Sequence, residues 1–168
     1  MITQAGRDQA GFTLIEMTAV VAMIAVLAVM ALPSYNQYVR RGAADEARSS
    51  MLGLAEDLQR FQSKNFTFKG YVPLQGYSNA NNEIYLPQGS TLTNYRYKLT
   101  LLDGSDWAST LPGTAKGQSW VLIAEPNPSH QVLKSGNKVV LTSYGLRCQT
   151  VGSVDYANKN CGTSGETW

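Results

Sequence analysis

Gly11-Phe12-Thr13-Leu14-Ile15-Glu16 opens the stretch that decides this chain: Phe12 to Leu32 reads FTLIEMTAVVAMIAVLAVMAL, 21 residues drawn mostly from Ala, Val, Leu, Ile and Met. At about 1.5 Å per residue, a helix of that length reaches roughly the 30 Å of a bilayer hydrocarbon core. From Phe12 to Val39 the only charge is Glu16. A cleaved secretory signal is the rival reading, but it calls for a shorter apolar segment and a small-x-small cleavage site. Ala31-Leu32-Pro33-Ser34 is a poor version of that site, and helix-compatible sequence continues beyond Pro33. The segment reads as a retained membrane helix.

Composition agrees. The chain has 168 residues, enough for one domain with one appended element, and 43% of them are hydrophobic against 15% charged. With the apolar residues concentrated near the N-terminus, the remainder is more polar than the average, which makes a purely soluble cytosolic protein a poor fit. The net charge of +2 is too weak to imply a nucleic-acid or membrane-surface partner by itself.

A carboxylate inside an apolar span costs about 2.5–3.5 kcal/mol on insertion scales, so Glu16 needs water or a partner. Two readings stand side by side. Glu16 lies close enough to the edge of the span to reach water. Alternatively, a cut between Gly11 and Phe12 would create an α-amine that neutralises Glu16 between staggered helices.

These residues carry a family resemblance. A short polar leader, then Gly11-Phe12-Thr13-Leu14-Ile15-Glu16 and an apolar helix, resembles the prepilin signature of type IV pilins. Pro33, Ser34, Tyr35 and Tyr38-Val39-Arg40-Arg41 extend the match. The resemblance implies that residues 1–11 are a leader removed by a prepilin peptidase, which cleaves after Gly11 and N-methylates Phe12. It implies that Glu16 meets the Phe12 amine of a neighbouring subunit during assembly. The other implied partners are further pilin subunits in a helical filament and the inner-membrane assembly machinery. The chain would be a single-pass inner-membrane protein with a periplasmic head before assembly, and part of a surface pilus afterwards. One departure is the leader's charge, where Asp8 offsets Arg7.

Beyond the transmembrane and assembly segment, residues 12–39, the helical pattern continues through residues 40–64. Ala44, Ala47, Met51, Leu54, Leu58 and Phe61 recur at three- and four-residue spacing and predict a core-facing stripe. Pro33 and Gly42 interrupt the long helix, and a kink or local melting is expected at Pro33. Residues 65–92, rich in Asn, Gly, Tyr and Pro, read as a long connection. Tyr95, Tyr97, Leu99 and Leu101 alternate with polar residues, Trp120–Ala124 is a continuous apolar run, and Val139–Thr142 makes a third strand pattern. The expected fold is therefore α+β. A long N-terminal helix, apolar in its first half and amphipathic in its second, packs on a small antiparallel sheet spread over residues 65–168, as in the type IV pilin fold.

Cys148 and Cys161 are the only cysteines, and His130 is the only histidine, too few ligands for a zinc site. In a periplasmic head a disulfide is expected, stabilising by about 3 kcal/mol in the chain-entropy model; two buried free thiols are the alternative. The loop resembles the disulfide-bounded C-terminal region of pilins, and the tail from Val139 resembles that of PilE-like minor pilins. No phosphate loop or nucleophile–base spacing suggests an enzyme, and no cofactor or metal is expected. Asp103-Gly104-Ser105-Asp106 has the composition of a turn, with no calcium ligand series after it, so a cation there is left open. For DNA, Arg96, Lys98, Lys134, Lys138, Arg147 and Lys159 are candidate phosphate contacts, with Tyr95 and Tyr156 nearby; a solvated sheet face explains them equally well. The function expected is a structural subunit, a minor pilin. The alternatives are a type II secretion pseudopilin and a competence pilin acting as DNA receptor.

Overall fold

The computed structural model describes residues 12–73, 77–78, 83–111, 113 and 116–168. The leader, residues 1–11 with Arg7, Asp8 and Gly11, lies outside the described residues. One helix, α1, runs from Leu14 to Asn65 and continues through both Pro33 and Gly42. Its start is written in Thr13 and Glu16. The Thr13 amide and hydroxyl each donate to Glu16 Oε2 at 2.8 Å, and the Glu16 amide donates to Thr13 Oγ1 at 3.3 Å. This is a capping box, in which the first-turn donors that lack intrahelical partners are satisfied reciprocally. Its end is set by Phe66, which turns left-handed at φ 58° while its amide reaches the Gln62 carbonyl at 2.7 Å. A residue in that conformation just past the last turn is a common helix stop.

The chain divides into two compact units, Met1–Gln37 and Tyr38–Trp168. In the first, every large apolar side chain of the helix from Leu14 to Leu32 is exposed, including Leu14, Val21, Leu27 and Met30. The helix is long and apolar enough there to cross a membrane. Hydrophobic on all sides and covered on none, it is built to be solvated by lipid or by other helices.

In the second unit the amphipathic half of α1 lies on an antiparallel sheet. Among the described residues seven strands follow one another in chain order: β1 (Tyr77–Ser78), β2 (Glu83–Leu86), β3 (Tyr97–Asp103), β4 (Trp120–Pro126), β5 (Lys138–Thr142), β6 (Arg147–Thr150) and β7 (Glu166–Thr167). Ala43, Ala44, Ala47, Met51 and Leu58 of the helix pack on Tyr97, Leu99, Leu101, Leu122, Ala124, Val139 and Leu141 of the sheet. Leu54 and Phe61, the remaining members of the predicted stripe with Ala44, Ala47, Met51 and Leu58, are half-buried at the margin of that core. The opposite sheet face carries a smaller cluster of Leu102, Trp107, Val121, Ile123, Val140, Val154 and the two cysteines. A strand covered on both faces has no need to alternate, which explains the unbroken Trp120–Ala124 run.

The three strand patterns in the sequence correspond to β3, β4 and β5. The segment 65–92, expected as a connection, contains β1 and β2 as well. Ile84 pairs with Leu99 and Leu86 with Tyr97, so β2 gains its order from β3 across the ladder and shows only a faint pattern of its own. Likewise β6 and β7 are short and polar, and their pairing with β5 and with each other is a tertiary outcome. Cys148 and Cys161 form a disulfide.

Candidate functional site

Two regions carry chemistry. In the N-terminal unit, Phe12 and Glu16 lie at the head of the apolar helix, and Glu16 is engaged by Thr13 of its own chain. The Thr-x-x-Glu spacing of residues 13–16 is legible as a capping box, a signal that sequence reading passed over in favour of charge alone.

The second region is one end of the head, organised around Asp103. This residue is fully buried, yet its carboxylate is satisfied. Oδ1 accepts the Ser105 amide at 2.7 Å, and Oδ2 accepts the Lys116 and Gly117 amides at 2.7 and 3.1 Å. Burial pushes the carboxyl up, but the hydrogen bonds from Ser105, Gly117 and Lys116 outweigh it and hold Asp103 below the usual carboxylate value. Asp106 is held lower still, at about 2, by the Ser109 hydroxyl and the Ala108 and Ser109 amides. Both carboxylates are thus taken up by hydrogen bonds, Asp106 within its own loop and Asp103 partly from the loop at Lys116 and Gly117. Among the described residues no group of acidic, Cys or His side chains is arranged to hold a metal ion.

The same hub gathers lysines from three distant segments. Lys116 contributes its amide to Asp103 directly. The Gly117 carbonyl accepts the Phe68 amide at 2.9 Å, which places Lys69 beside it. Gly117 adopts φ +71°, and a Cβ there would stand 2.5 Å from the Lys69 nitrogen, so only glycine permits this approach. From the other side, the Lys159 ammonium donates to the Ser105 carbonyl. Aromatic groups flank the cluster. Buried Trp107 donates to the Tyr144 hydroxyl at 3.3 Å and meets the Tyr156 ring edge-on at 6.4 Å, while Tyr144 and Tyr156 are both exposed.

The cations named from the sequence fare differently. Lys98 sits between Glu83 at 2.8 Å and Glu125 at 3.9 Å; Lys138 pairs with Glu125 at 3.0 Å, and Arg96 with Glu46 at 3.6 Å. Those three belong to charge pairs that brace the sheet. Arg147 stands over the Trp168 ring, Lys134 is exposed on a 3-10 turn, and Tyr95 is buried against Tyr85. Of the sequence candidates, only Lys159 and Tyr156 fall at the Asp103 end. Lys69 and Lys116 were missed because neither lies in a pattern; only the folding of their loops brings them together.

The comparisons follow the same division of the chain. Residues 6–32 match the model of the prokaryotic N-terminal methylation motif. Residues 33–132 match the model described as type IV minor pilin ComP, DNA uptake sequence receptor. The chain belongs to this type IV minor pilin family. Among curated proteins and among solved structures nothing matches the chain. The minor pilin is therefore a structural subunit of a type IV pilus, anchored in the inner membrane by its N-terminal helix and later assembled into the surface fibre. The family match stops at residue 132, so the stretch with Tyr144, the disulfide, Tyr156, Lys159 and Trp168 lies beyond it.

Proposed function

We propose that this minor pilin is a DNA receptor of a competence pilus, with Lys69, Lys116 and Lys159 contacting phosphates and Tyr144 and Tyr156 beside them. The carrying observation is the set of contacts at this end of the head: three lysines, none in a salt bridge among the described residues, one giving its amide to buried Asp103 and the other two reaching the residues that also bond it, Ser105 and Gly117, with exposed aromatic rings alongside. The family's description as a DNA uptake sequence receptor points the same way. Lysines supply the sequence-independent share of affinity by releasing condensed counterions, and exposed tyrosines offer stacking or groove contact.

The test is titration of the processed full-length chain, in detergent, against a labelled DNA duplex at several salt concentrations. Each Lys→Ala change at 69, 116 or 159 is expected to weaken binding about five- to tenfold and to reduce the salt slope by about 0.9. Lys98→Ala, whose ammonium is occupied by Glu83 and Glu125, is expected to bind as the parent does. A triple variant with undiminished affinity and slope would overturn the reading.

Anchoring and delivery of the head to the fibre depend on the N-terminus. In this proposal a prepilin peptidase cleaves between Gly11 and Phe12 and methylates Phe12; Glu16 pairs with a neighbour's Phe12 amine, and Pro33 gives the helix a point of adjustment. Gly11→Trp is expected to leave the leader attached. Mass spectrometry of the N-terminal peptide should then find Met1 in membranes and no methylated Phe12 in sheared fibres; a chain still starting at Phe12 would refute the cleavage assignment.

A further inference from the structure

Trp168 is built into the head. After Cys161 the backbone leaves the sheet face that carries the disulfide and runs along the sheet edge as β7. There Thr167 pairs with Cys148 and Glu166 with Gln149. Trp168 then turns onto the helix-facing side, where it packs against the main core. Its indole Nε1 donates to the Cys148 carbonyl at 3.1 Å and the Val140 carbonyl at 3.3 Å. The guanidinium groups of Arg48 and Arg147 lie 5.5 and 5.8 Å from its ring centroid, within cation–π range. Arg48 is itself held by Asp45 and by Gln149 of β6.

Cys148 thus closes the C-terminal loop twice, once covalently to Cys161 and once through its strand partner Thr167, with Trp168 as the latch. The loop between bears Tyr156 and Lys159, and only two of its apolar groups, Val154 and Cys161, are buried. We infer that Trp168 is a positioning residue: it straps the loop in place, so that Tyr156 and Lys159 keep their station against the 103–109 loop even when the disulfide is open. The part concerning DNA rests on the receptor reading above; the strap does not.

Two closures of one loop are coupled, because either alone already removes most of the loop's freedom. The experiment uses the processed full-length chain in detergent, as parent, Trp168→Phe and Trp168→Ala, each oxidised and reduced. The first readout is the rate of tryptic cleavage after Lys159, which tracks the open population when opening is fast relative to cutting. Reduction alone, or Trp168→Ala alone, is expected to speed cleavage about threefold, and the two together at least about thirtyfold, well beyond the product of the single effects. Trp168→Phe, which keeps a ring for both arginines and loses the two indole hydrogen bonds, should fall between parent and Ala.

The second readout is the DNA salt slope. The doubly opened protein is expected to lose about 0.9 of slope, as Lys159→Ala does, and adding Lys159→Ala to it should cost nothing further. Single effects that merely multiply would overturn the strap. So would simultaneous cleavage after Lys98 in β3, since that reports opening of the whole head. If the parent binds no DNA, the receptor reading fails while the cleavage rates still judge the strap.

Discussion

Glu16→Gln is expected to leave the chain processed and membrane-inserted, yet to lower its content in sheared fibres by about a hundredfold. The capping box explains why glutamine, rather than alanine, is the decisive change. Both Thr13 donors converge on Glu16 Oε2, and a glutamine carbonyl can accept them at this helix position, with weaker bonds than a carboxylate makes. Glu16→Gln therefore preserves the helix start and removes only the negative charge. In the proposed arrangement the apolar helix exchanges lipid for neighbouring helices within a fibre, and a Phe12 ammonium left without Glu16 there would be costly. Removing one partner of a buried ion pair costs about 3–5 kcal/mol, and the hundredfold figure takes the low end of that range. The measurement is the ratio of the methylated Phe12 peptide in fibres to that in membranes. Normal incorporation of Glu16→Gln combined with failure of Glu16→Ala would assign Glu16 to capping and dismiss the intersubunit pair.

Asp103→Ala is expected to destabilise the head by about 3 kcal/mol, the penalty for leaving three inward-facing amides without an acceptor. That corresponds to a fall of about 10 °C in the melting temperature, followed by near-ultraviolet circular dichroism. Asparagine is not a conservative replacement. Its single carbonyl serves either the Ser105 side or the Lys116–Gly117 side, and its NH2 group then faces donors on the other. Because the hub also spaces Lys69, Lys116 and Lys159, Asp103→Asn should weaken DNA binding even at temperatures where the head stays folded.

The same carboxylates set an acid limit. Asp103 and Asp106 both titrate lower in the folded head than ordinary carboxylates do, so the unfolded chain binds more protons over that interval. Their contribution to stability is complete above the unfolded value near pH 4 and is lost as the pH falls toward about 2, where Asp106 protonates. Asp103→Ala should therefore flatten the acid limb of the stability curve. An unchanged limb would show that other groups govern it.

How much of this was legible depended on where the information lies. The transmembrane half of α1, the stripe Ala44–Phe61 and the strands β3 to β5 are local signals, each set by burial of one repeating face. The α+β architecture follows from them. β2, β6 and β7 were obscure because each is short and takes its order from a neighbour. The candidate cations were named as individuals, and the pairing of Lys98, Lys138 and Arg96 with Glu83, Glu125 and Glu46 was invisible until strands and helix lay side by side.

By itself, the sequence determined that this protein is anchored by an N-terminal apolar helix, begins with a pilin-type processing signature, and carries an α+β head with two cysteines. Periodicity, length and motif spacing are properties of contiguous residues and need no fold to be read. The tertiary structure alone decided which lysines stand together and what Trp168 does. Lys69, Lys116 and Lys159 share no segment; Lys116 gives its amide to Asp103, Lys69 lies beside Gly117, and Lys159 reaches the Ser105 carbonyl, contacts that exist only once the loops have folded together. Trp168 carries no signal of its own in the sequence; it becomes a latch only where two carbonyls and two guanidinium groups, from strands β5 and β6 and helix α1, converge on its ring.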